Sequence, residues 1–65
     1  MTIDLFIKDC DEPFATVAIS KESLDKYHNG DAAAFLKKTA KNYAYLRKEL
    51  IIAKSPGLED ITLKA

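Results

Sequence analysis

The chain has 65 residues, ten acids against ten Lys and Arg, and 48% hydrophobic residues. That is one domain with a small core, globular rather than disordered in composition. A single cysteine excludes an intrachain disulfide, and no apolar run is long enough to span a bilayer.

The first element expected is a strand over Thr2 to Lys8. Ile3, Leu5 and Ile7 alternate with Thr2, Asp4, Phe6 and Lys8, the period-two pattern of a half-buried strand. Phe6 interrupts the polar face. Asp9-Cys10-Asp11-Glu12-Pro13 is a polar connection with turn-forming residues. Phe14 to Ser20 reads as a second strand with Ala15, Val17 and Ile19 on one face, completing an antiparallel hairpin.

Ser20 is positioned to cap a helix starting at Lys21. Ile19 and Leu24 stand at the positions of a hydrophobic staple. Asn29-Gly30 stops this helix, since both residues tolerate a left-handed backbone. Asp31 then caps a second helix, expected to run unbroken through Ser55, about 36 Å long. At 100° per residue, Phe35, Leu36, Thr39, Ala40, Tyr43, Leu46, Leu50 and Ala53 share one arc, the expected core face. Ser55-Pro56-Gly57 ends it. Ile61 and Leu63 alternate with Thr62 and Lys64 in a last short strand over Asp60 to Ala65. The fold class expected is a two-layer α+β domain spanning 1–65. Its order is β-β-α-α-β, with an antiparallel or mixed three-stranded sheet against one long helix.

Charge is unevenly spread. Residues 1–36 carry seven acids and three lysines; residues 37–54 carry five lysines and Arg47 against Glu49 alone. The long helix is therefore basic, and such an asymmetry steers charged partners. Opposite the expected core arc stand Lys37, Lys38, Lys41, Ala44, Tyr45, Lys48, Glu49 and Ile52. Tyr45 and Ile52 are two turns apart, nearly above one another on a helix. Lys41 and Lys48 flank them. An aromatic and an aliphatic anchor ringed by long charged side chains have the composition of a protein contact. Lys41, Tyr45, Lys48 and Ile52 are thus the expected interaction face, for another protein or a second copy of the chain. The function expected is a small interaction or regulatory module acting as a homodimer, with a structural oligomer subunit as one alternative. A solvated face with two stray apolar residues is the plainer explanation.

Nucleic-acid binding is the alternative, with Lys37, Lys38, Lys41, Arg47 and Lys48 on phosphates. The acidic N-terminal half opposes it, and the helix offers few groups for base edges. Chemistry is thinly provided. A reactive cysteine needs a nearby cation, helix start or metal; Cys10 has Asp9, Asp11 and Glu12 as chain neighbours. His28 is the only imidazole and suits a helix C-terminus. One Cys and one His fall short of a zinc set, and the acidic loop lacks calcium-loop spacing. Gly30 and Gly57 are isolated and belong to no phosphate-binding loop. No enzyme activity, metal or cofactor is expected. The N-terminal residues lack the basic and apolar regions of a signal peptide, so a reducing, cytoplasmic setting is expected.

Overall fold

A computed structural model describes residues 1–64; Ala65, expected at the end of the last strand, lies outside the described residues. The strands are β1 (Thr2–Ile7), β2 (Ala15–Ala18), β3 (Ile51–Lys54) and β4 (Ile61–Leu63). The helices are α1 (Lys21–His28) and α2 (Ala32–Arg47), placed between β2 and β3 in the chain. The sheet is four-stranded in the order β2-β1-β3-β4, and every pairing is antiparallel. The two-layer α+β architecture stands. The expected three-stranded sheet and long helix do not.

The N-terminal half follows its pattern. Ile3 and Leu5 are fully buried, and in register they face Val17 and Ala15 of β2. Backbone bonds from Ile19 N–H to Met1 C=O and from Phe14 N–H to Leu5 C=O extend the pairing past both ends of β2. Ser20 Oγ accepts from Ser23 N–H at 3.1 Å and caps α1. Asn29 ends α1 in the left-handed conformation, and Gly30 N–H returns to Leu24 C=O. This closes carbonyls the helix end leaves open. Asp31 Oδ1 accepts from Ala34 N–H at 3.0 Å and starts α2 at once.

The correction lies at residues 48–55. The helix stops at Arg47 after 16 residues, and Lys48 adopts φ 54°, ψ 39° as its cap. After Glu49 and Leu50 the chain runs as β3, beside β1 in the interior of the sheet. The physical reason is burial. Ile51 and Ala53 are both fully buried; on a helix they would lie about 200° apart, and no single face could cover both. On a strand they share one side of the sheet. Without β3, β1 would be an open edge beside the buried Ile3 and Leu5. Ser55-Pro56-Gly57 is consequently no helix stop but the turn of a β3–β4 hairpin. Leu58 N–H donates to Ser55 C=O, and Gly57 sits at φ 79° behind Pro56, the residue order of a type II turn. Ser55 Oγ donates to Thr2 C=O at 2.8 Å and ties this turn to β1.

The helix is also rotated from the expected arc. Its buried residues are Leu36, Thr39, Ala40 and Ala44, while Leu46 is 72% exposed. Ala40 and Ala44 let α2 approach the sheet over β3 and β4. A helix packed on its alanines turns Leu46 outward, and Leu50 falls in the connection beyond its end. The core therefore joins Ile3, Leu5, Ile51 and Ala53 from the sheet to Leu36, Ala40 and Ala44. Each large side chain among them contributes about 1.5–3 kcal/mol by burial. Among the described residues, no buried side-chain nitrogen or oxygen lacks a partner.

Candidate functional site

The expected interaction face is divided by the end of α2. Lys41 and Tyr45 stay on α2 as exposed residues, and Tyr45 is 78% exposed. Lys48 is the left-handed cap, off the helical row. Ile52 has left the helix for β3, where it pairs with Phe6 on one side and Thr62 on the other. Since Ile51 and Ala53 face α2, Ile52 faces away from it, on the uncovered side of the sheet. Tyr45 and Ile52 thus form no common patch.

What the fold brings together instead is a groove of about 430 Å³ between α2 and β4. Lys37, Lys41 and Tyr45 line it from the helix, one turn apart in succession, with Ala44 between them. Leu63 and Lys64 line it from the strand. Ala44 is 2% exposed and packs on the sheet, so its small side chain forms the groove floor with Leu63. The lysine stems supply apolar walls and keep their ammonium groups in water. Among the described residues, no carboxylate side chain lines the groove.

β4 is the outermost strand on this side of the sheet. Its far edge carries backbone N–H and C=O groups that no neighbouring strand among the described residues takes up. The groove therefore runs beside an open edge. Sequence reasoning missed Leu63 and Lys64 as site residues, because nothing in a linear reading places the last strand next to the middle of α2. It also placed Ala44 opposite the core.

The alternative basic set is likewise split. Arg47 is turned back onto the fold: its guanidinium lies 4.3 Å from the centre of the Phe14 ring, and its Nε donates to Glu49 Oε2 at 3.1 Å. Phe14 in turn meets Tyr43 edge-on at 5.8 Å. This stack fixes the C-terminal end of α2 against the start of β2, a structural role for Arg47 rather than a free cation. Lys37, Lys38 and Lys41 remain exposed.

The open face of the sheet carries Phe6 and Ile52 at its centre, with Asp4, Thr16, Lys54 and Thr62 around them. Thr16 Oγ1 donates to Asp4 Oδ1 at 3.0 Å, and Lys54 lies 5.2 Å from the Phe6 ring centre and 3.7 Å from an Asp60 oxygen. Asp4 and Thr16 thus satisfy each other, and Lys54 has Asp60 as its counter-charge. Cys10 is exposed with the acidic residues of the β1–β2 loop. His28 packs on Phe35, ring centres 4.7 Å apart, and closes the α1–α2 corner. Among the described residues, no group of three or more His, Cys, Asp or Glu side chains is placed to hold a metal, and no helix is long and apolar enough to cross a membrane.

No protein-family model, curated protein or solved structure matches the chain.

Proposed function

We propose that this domain is a non-enzymatic interaction module, and that it binds an extended segment of another protein along the edge of β4. The observation that carries this reading is the coincidence of a free strand edge with an apolar-floored groove under an exposed Tyr45. An added strand satisfies the edge's backbone groups, and alternate side chains of that strand reach the groove. Tyr45 supplies a large contact area at small entropic cost. The reading places the protein in a reducing compartment such as the cytoplasm, where exposed Cys10 stays a free thiol.

A second copy of the chain is the competing occupant. Pairing β4 antiparallel with its own two-fold image about Thr62 would set Lys64 of each copy opposite Asp60 of the other, but the groove of one copy, lined by Lys37, Lys41 and Lys64, offers no acidic side chain to the groove of the other. The groove thus favours a different protein over a homodimer. A peptide selected from a random library against this domain tests the reading by hydrogen exchange. Slowed exchange confined to Ile61–Lys64 and the adjoining face of α2 supports it. Protection at Ala15–Ala18 on the opposite edge, or a concentration-dependent dimer that Tyr45→Ala disrupts, contradicts it.

A further inference from the structure

We infer that the segment taken up by the α2–β4 groove is acidic: an extended peptide with Asp or Glu side chains on both sides of one apolar residue. The inference rests on the edge-pairing reading above and deepens it. Three of the groove's lining side chains are lysines, and none is acidic. Lys37 and Lys41 stand one turn apart on the helix wall, while Lys64 continues β4 on the other wall. Ammonium groups therefore flank the groove from two elements, with Ala44 and Leu63 between them.

An extended chain spaces its same-side residues about 6.5–7 Å apart, and a helix spaces successive turns at about 5.4 Å. With an acidic residue two positions before and two positions after the apolar one, all three side chains point to the same side of the bound strand: the carboxylates approach the Lys37–Lys41 row and Lys64, and the apolar side chain meets Ala44, Leu63 and the Tyr45 ring. Lysine on an edge ordinarily blocks unselective pairing. Here the same charges leave the edge usable by a strand that neutralises them. This excludes a basic or strongly apolar segment by repulsion and incomplete desolvation, the two terms that give an interface its specificity.

Nucleic acid is the competing polyanion. It would use the ammonium groups without the apolar floor or the strand edge, and Arg47 is already held by Phe14 and Glu49.

The test is an amide-resolved NMR titration with three short synthetic peptides of one apolar pattern, carrying Glu, Gln or Lys at the flanking positions, and with a single-stranded oligonucleotide. The Glu peptide is expected to shift the amides of Ile61–Lys64 and of Tyr45. Its affinity should exceed that of the Gln peptide by about tenfold at low salt, the sum expected of three exposed ion pairs. The preference should vanish in the Lys37→Gln, Lys41→Gln, Lys64→Gln triple variant. Equal binding of the Glu and Gln peptides at this site overturns the acidic assignment and leaves the edge reading intact. No shift at β4 with any peptide overturns both. Tighter oligonucleotide binding at these amides overturns the choice of partner.

Discussion

Tyr45 and Ile52 lie on different faces of the fold: Tyr45 lines the groove between α2 and β4, and Ile52 pairs with Phe6 on the sheet face that α2 does not cover. The separation is produced in the three residues Lys48 to Leu50, where the chain leaves the helix and re-enters the sheet. It gives the two side chains independent roles. Tyr45→Ala is expected to weaken a groove-bound peptide by roughly tenfold or more, as for a central aromatic anchor. Ile52→Ser should leave that affinity unchanged. Calorimetric titration of both variants checks this; equal losses would mean that the two residues share one surface.

Lys48 holds a left-handed conformation that costs an L-residue with a side chain about 1–2 kcal/mol. Lys48→Gly should relieve part of this and raise the melting temperature by about 4–8 °C for each kcal/mol gained, given the size of the domain. Lys48→Val should lower it, because a β-branched residue suits this conformation poorly. A melt showing Lys48→Gly below the parent protein would place the end of α2 elsewhere.

The rotation of α2 separates two leucines that look alike in the sequence. Leu36 is 1% exposed and Leu46 is 72% exposed. Leu36→Ala should cost about 2–5 kcal/mol, a large share of the stability of so small a domain. Leu46→Ala should stay within about 0.5 kcal/mol of the parent. Urea denaturation compares them directly. A large loss at Leu46 would restore the arc read from periodicity alone.

The corner between the helices makes a similar demand. Gly30 sits at φ 71°, and a Cβ there would lie 3.0 Å from Asp25 Oδ1. Gly30→Ala is expected to destabilise by about 1 kcal/mol, since the left-handed backbone is strained for alanine, while the exposed Asp25 carboxylate can turn aside. Asp31→Ala removes the α2 cap and should cost about 0.5–2 kcal/mol. Thermal melts of both variants test this; an unchanged Gly30→Ala would show that the corner is looser than its geometry.

Much of the fold was legible because local signals agreed. The β1–β2 hairpin follows from alternation at Ile3, Leu5, Ala15 and Val17, and both helix starts follow from Ser20 and Asp31. The signals at 48–57 were ambiguous. Leu50-Ile51-Ile52-Ala53 is a short apolar run that serves a helix or an interior strand equally, and periodicity cannot choose between them. No Gly or Pro marks the end of α2; a lysine takes the left-handed position instead. Ser-Pro-Gly punctuates either outcome. Ala44 falls opposite the expected core arc because that arc runs through Leu46, Leu50 and Ala53 on a helix reaching Ser55; with the helix ending at Arg47, its small size lets the helix approach the sheet. Of the expected contact residues, Lys41 and Tyr45 line the groove. Its other wall, Leu63 and Lys64, depends on the order of strands in the sheet.

The most direct measurement is the set of intermolecular nuclear Overhauser contacts in a complex with a library-selected peptide. The account predicts contacts from the peptide backbone to Ile61, Thr62 and Leu63, together with contacts from one peptide side chain to the Tyr45 ring. Contacts to Phe6 and Ile52 on the far face of the sheet, with none to β4, would contradict it.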